Sequence, residues 1–169
     1  MRKKILSLCC ALLLMAGLMG ISVNEVQAEE RPMIDGSYLI HEDESIGHAT
    51  KMTRGEDLLA GYSKSVRLGA GLLYAGGSTI ASKVVDEVGI AVLVERAQEG
   101  DEEWSFYDGW TKYNHNIDKV SANRQLKVEG GYYYRVRCLH SANSDMSSSF
   151  TDGVFIEEPQ ILPGIPEIG

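Results

Sequence analysis

The clearest order in the chain is an alternation of period two. Val88, Ile90, Val92 and Val94 share one parity and Glu87, Gly89, Ala91, Leu93 and Glu95 the other, which predicts a strand with one buried face. Tyr132, Tyr134, Val136 and Cys138 repeat the pattern and form the predicted inward set of a second strand, with Tyr133, Arg135 and Arg137 projecting together from its opposite face. Shorter strands are predicted from Tyr62 to Leu68, from Leu72 to Tyr74 and from Phe150 to Ile156. Trp104, Phe106 and Trp110 share a parity that Asp108 interrupts; Asp108-Gly109 reads as a bulge within one strand in preference to a two-residue hairpin turn.

Turn signals separate these runs. Gly69-Ala70-Gly71, Gly76-Gly77-Ser78-Thr79, Gln98-Glu99-Gly100-Asp101 and the segment 141–149 read as turns, and residues 114–125 as a loop or short edge strand. Beyond the amino-terminal segment, no stretch of ten or more residues places apolar side chains three and four apart, so no helix longer than a turn or two is predicted.

The ends have a different texture. Arg2, Lys3 and Lys4 precede an apolar run from Ile5 to Met19, and Val26-Gln27-Ala28 supplies small residues ahead of Glu29. This is the layout of a secretory signal occupying 1–28 and cut between Ala28 and Glu29; the alternative is a retained anchor, roughly 28 Å long as a helix over residues 5–23. Residues 29–57 read as a polar, acidic, partly disordered leader, 58–157 as the folded domain and 158–169 as an extended proline-rich tail.

Removing the signal takes Arg2, Lys3, Lys4 and Glu25 from 16 basic and 24 acidic side chains, leaving 13 and 23, a net charge of −10 with His neutral. Such a chain is a poor partner for nucleic acid or anionic lipid, both polyanions, and no stable membrane insertion is expected once the signal is gone. Cys138 is the one cysteine outside the signal, so the fold is expected to need no internal disulfide and no disulfide-linked partner; a buried core thiol is its predicted role.

Catalytic and cofactor motifs are not visible. His41-Glu42 lacks the second histidine of a zinc helix because Ser45 stands in its place, Gly61-Tyr62-Ser63-Lys64 ends in Ser65 where a nucleophile elbow needs glycine, and the glycine pairs lack a following Lys-Ser or Lys-Thr. The four histidines are scattered, and the acidic runs at 42–44 and 101–103 lack calcium-loop spacing. No cofactor, no metal and no enzymatic activity are therefore expected, although a carboxylate pair for a secreted hydrolase is a matter of three-dimensional placement. The candidate binding surface is Tyr133, Arg135 and Arg137; the competing reading is that the arginines pair with Glu87 or Glu95 of a neighbouring strand.

About seven short strands with regular turns predict an all-β, antiparallel sandwich. Leu126, Tyr132, Tyr134 and Val136 resemble the corner between two strands of immunoglobulin and fibronectin type III domains, with Val128 where the fibronectin pattern has proline. That resemblance implies that the Tyr132 hydroxyl bonds to upstream backbone. Over residues 54–156, Arg54-Gly55, Ser78-Thr79, Trp104, Trp110 and Gly131 to Arg137 are similar to a family of small secreted proteins of Gram-positive bacteria, a domain of unknown function. The combined expectation is an exported binding module, secreted to the cell surface or medium, whose partner is a protein or a carbohydrate; a structural subunit that recruits a strand through an open edge is the third reading. A carbohydrate partner predicts open rings among Tyr107, Trp110 and Tyr113.

Overall fold

The computed structural model describes residues 31–49 and 55–160. The predicted signal and its cleavage at Ala28 and Glu29 lie outside them, as do residues 50–54 and 161–169.

The described residues are all-β. Nine strands run in the order β1 (Met33–Ile34), β2 (Ser37–Ile40), β3 (Glu44–His48), β4 (Leu58–Gly69), β5 (Leu72–Ala97), β6 (Ser105–Lys127), β7 (Tyr132–Ala142), β8 (Asp145–Phe150) and β9 (Gly153–Ile156). They form one mixed sheet curled into a half-barrel. This corrects the expectation of about seven strands, all antiparallel: β2 and β9 run parallel through Leu39–Gly153 and Ile40–Val154.

The curl is built on β5. β6 pairs along both halves of this 26-residue strand, so β4 (beside Leu72 to Ala81) and β7 (beside Val88 to Ala97) must share its other edge. Between Ile80 and Val85 the register with β6 slips, and the two halves diverge there. β4 consequently lies against β7 across the core, where the Ser65 hydroxyl donates to the Tyr134 carbonyl at 3.3 Å. The alternating residues predicted to be inward fill that space: Val88, Ile90, Val92, Val94, Tyr134, Val136 and Cys138 are buried, joined by Leu73, Val120, Val154 and Ile156.

Four local readings change. Gly76 and Gly77 lie within β5 and make no turn; a Cβ on Gly77 would sit 2.8 Å from the Cys138 sulfur, so glycine marks a close approach between facing strands. Residues 114–125 belong to β6, an outer strand that is exposed from His115 to Lys119 and returns Val120 and Ala122 to the core. The leader carries β1, β2 and β3, because Ile34, Ser37 and Leu39 are buried against the domain. A bulge interrupts this strand, but at Tyr107 and not at Asp108-Gly109: Leu93 pairs with Gly109, Val94 with Asp108 and Glu95 with Phe106, leaving Tyr107 as the extra residue.

Candidate functional site

The outer side of β7 divides into two parts. At its start, Tyr133 and Arg135 project away from the main core as expected, but the β1–β2 hairpin lies over them. Tyr133 packs with Ile34, Leu39, Ala97, Trp104 and Phe155 in a second apolar cluster, and its hydroxyl lies 3.2 Å from His41 Nε2.

Arg135 is only 2% exposed. Its Nε donates to Glu95 Oε2 at 2.7 Å, Nη1 to the Asp35 carbonyl and the Ser37 hydroxyl, both at 3.1 Å, and Nη2 to Asp35 Oδ2 at 3.1 Å. The guanidinium carbon lies 4.7 Å from the centroid of Trp104, whose indole N–H donates to the Ile34 carbonyl at 2.8 Å. Glu95, also buried, accepts from Arg137 Nη2 with its other oxygen. Arg135 and Tyr133 are thus fastening for the hairpin, which corrects their nomination as an exposed binding surface. The pairing with Glu95 is the competing reading of the sequence, with the charge satisfied internally.

Farther along β7 the same side is open. Cross-strand pairs put Phe106 beside Glu95, Gly109 beside Leu93, Arg137 beside both Leu93 and Phe150, and Leu139 between Ala91 and Ser148. Tyr113 pairs with Gly89 and Met146 with Ser141 on that face. Phe106, Tyr113, Leu139, Met146 and Phe150 are between 43% and 66% exposed, so five large apolar side chains converge on one face of four strands. Phe106 lies over Gly109 and Tyr113 over Gly89, where an added Cβ would come within 3.3 and 2.6 Å of the rings. Arg137 stands among them with its side chain 39% exposed and its buried Nε unpartnered. Of the nominated residues, Arg137 alone remains in the open part. Sequence reasoning missed Leu139, Met146, Phe150 and Phe106 as members because their convergence depends on which strands are neighbours.

Tyr132 does not make the corner hydrogen bond. Tyr134 does, donating from its hydroxyl to the Glu129 carbonyl at 2.7 Å. Tyr132 opens β7 at the rim, where the Arg96 guanidinium carbon covers its ring at 4.4 Å; Tyr134 lies deeper, edge-on to Tyr107 with centroids 5.4 Å apart. Burial pushes the Tyr134 hydroxyl up to about 12, which keeps it a donor.

A Ser–His pair also emerges that no motif announced. Ser149 Oγ lies 2.8 Å from His140 Nε2, and His140 Nδ1 lies 2.8 Å from Thr79 Oγ1, which itself donates to the Gly89 carbonyl at 2.9 Å. Because the threonine proton is committed, Nδ1 carries the imidazole hydrogen and Nε2 accepts from serine. All three side chains are sealed in the core, and a Cβ on Gly61 would fall 2.6 Å from the imidazole. The arrangement ties β5 to β7 and β8 without offering the serine to a substrate. Desolvation lowers the His140 pKa to about 4 and raises that of Cys138 to about 12, so both are neutral at pH 7.

Among the described residues no group of three or more His, Cys, Asp or Glu side chains is placed to hold a metal ion, and no helix is long and apolar enough to cross a membrane. No family model, curated protein or solved structure matches the chain.

Proposed function

We propose that this is an exported, non-enzymatic binding module that docks a protein partner on the open apolar face of β6, β5, β7 and β8. The observation that carries the reading is that Phe106, Tyr113, Leu139, Met146 and Phe150 share one open face with Arg137, since exposed large apolar side chains with an arginine among them are what protein interfaces favour. Export rests on the basic and apolar beginning of the chain. Packing of β4 against β7 and β8 supports treating the curled sheet as two facing layers, in the manner of an immunoglobulin-like sandwich. The likeness to small secreted Gram-positive proteins belongs to the same proposal.

A protein is favoured over a carbohydrate because leucine and methionine offer no flat platform for a sugar ring. Tyr107 leans on Tyr134 and the Arg124 guanidinium carbon covers Trp110 at 4.6 Å, which leaves Tyr113 as the open ring of the three. The face is also favoured over the β6 edge as a means of assembly. Carbonyls of Ser121, Lys119 and Lys127 already accept from Lys112, Asn114 and Tyr107, an arrangement that blunts strand addition.

A photo-crosslinking amino acid at position 139, introduced in producing cells, should yield one discrete protein adduct, and the same group at exposed Tyr38 should not. No adduct from position 139, or the same adducts from both sites, defeats the reading.

A further inference from the structure

Among the described residues the unpaired cations are all in one place. Lys112, Lys119, Arg124 and Lys127 of β6 pair with no carboxylate, whereas every other described lysine and arginine does. In a chain of 24 acidic and 16 basic side chains, such cations are the exception. Two of the four converge. Strand β6 bends near Asn116, whose φ is 55°, and residues of its two arms line a trough of about 330 Å³. Trp110, Lys112 and Arg124 pair with Val92, Ile90 and Ala75, which are buried in the core, so all three point to the inner side of the curl, away from the apolar docking face. The Arg124 guanidinium carbon lies 4.6 Å from the centroid of Trp110. Lys112, the next inward position after Trp110 and about 7 Å along the strand, reaches across to donate to the Ser121 carbonyl at 3.1 Å.

We infer that this trough binds a phosphate group as its dianion, seated between Lys112 and Arg124. Both residues are exposed, so an oxyanion reaches their heads without opening the fold. No carboxylate lines the trough, and the acids of β6, Asp108 and Asp118, form no ion pair; Asp108 accepts from the Gly109 amide at 2.7 Å. Donors are in surplus there. Lys112 directs one of its three ammonium hydrogens to Ser121, Arg124 lies over Trp110 with no hydrogen bond among the described residues, and Asn123 brings an amide to the same rim. A tetrahedral dianion offers oxygens to both cations and matches their two charges, whereas a planar, singly charged carboxylate satisfies one. The net acidity of the chain opposes anions at long range, so recognition is confined to the trough and weakens as salt rises. The trough lies on the other side of the sheet from the docking face and does not depend on it.

The test titrates the full chain with inorganic phosphate, glycerol 3-phosphate and acetate at low ionic strength and about pH 7.5, where the phosphate group is dianionic. The readout is NMR at the indole N–H signals of the two tryptophans. Phosphate and glycerol 3-phosphate should shift Trp110 saturably and leave Trp104, which is bonded to the hairpin carbonyl of Ile34, unmoved. Acetate should bind at least about fivefold more weakly, the worth of one charge contact in water. Lys112→Gln and Arg124→Gln should each weaken phosphate by at least about fivefold, and Arg124→Lys by less. Lys127→Gln removes an unpaired cation outside the trough and should leave the affinity unchanged. Because Lys112 and Arg124 are exposed, unchanged thermal midpoints are the expected control. Whichever of phosphate and glycerol 3-phosphate binds more tightly identifies the source as a free anion or an ester, and either supports the site. The absence of a saturable Trp110 shift overturns the inference, as does acetate binding as tightly as phosphate. A loss in Lys127→Gln equal to that in Lys112→Gln reduces the effect to general charge and overturns it too.

Discussion

Strand β7 carries a buried polar cluster on each of its two sides, and the two are solved differently. On the inner side, His140 sits between Thr79 and Ser149 among aliphatic neighbours, and every member is neutral. On the outer side, Arg135 meets Glu95, Asp35 and Ser37, and the charges are matched. The distinction follows from what each cluster joins. The inner one ties strands within the main core, where desolvating an ion would cost several kcal/mol. The outer one fastens a hairpin whose Asp35 carboxylate reaches solvent, so a full charge is tolerable there.

Removing a member separates the two solutions most sharply. Arg135→Ala should destabilise the fold by about 3–5 kcal/mol, because it strips a buried carboxylate of one partner and releases the hairpin; the measurement is urea unfolding with Trp104 fluorescence as the local probe. A loss below about 1 kcal/mol would mean that the hairpin is held by its apolar contacts alone.

Acid should act on the inner cluster. The folded-state pKa of His140, about 4, is below the unfolded value of about 6.5, so the unfolded chain binds the extra proton first. The stability it contributes is complete above pH 6.5 and is lost progressively as pH falls toward 4, by about 3 kcal/mol in total. In His140→Gln that part of the pH dependence should vanish when ΔG of unfolding is followed from pH 7.5 to 4. A parallel slope in the variant would assign the acid sensitivity to carboxylates elsewhere.

Smaller effects test the corner and the open face. Tyr134→Phe removes the hydroxyl bond to Glu129 and should cost about 1 kcal/mol, with Tyr132→Phe costing less. The reverse order, read by thermal denaturation, would restore the corner role to Tyr132. Leu139→Ser should change stability by no more than about 0.5 kcal/mol, since its side chain is half in solvent. A larger loss would show that the open face is structural.

Periodicity made the central strands readable from residues alone: the inward sets of β5 and β7 are where alternation places them, since the inner face of each is lined by aliphatic residues and the outer face carries polar, charged or partly exposed ones. Strand β6 was illegible over 114–125 because His115 to Lys119 are exposed on both faces, and the inward pair that follows, Val120 and Ala122, is too short a run to show a period. The hairpin was concealed by the acidic segment around it, although Asp35-Gly36 between the apolar pairs Met33-Ile34 and Tyr38-Leu39 carried the turn signal; both turn residues have positive φ, 45° and 77°, as a two-residue turn requires. Arg135 and Arg137 stand on the predicted side of β7, yet which of them is covered depends on where a segment a hundred residues earlier comes to rest. The Ser149–His140–Thr79 chain was invisible for the same reason, its members coming from β8, β7 and β5.

The parallel pairing of β2 with β9 has a consequence for how the molecule comes into being. Leu39 waits for Gly153 and Ile40 for Val154, more than a hundred positions away, so a nascent polypeptide cannot complete this sheet until the whole stretch between them has been translated. Closure of the sheet between its earliest and latest strands is therefore a late event, paid for in loop entropy before it is rewarded in hydrogen bonds.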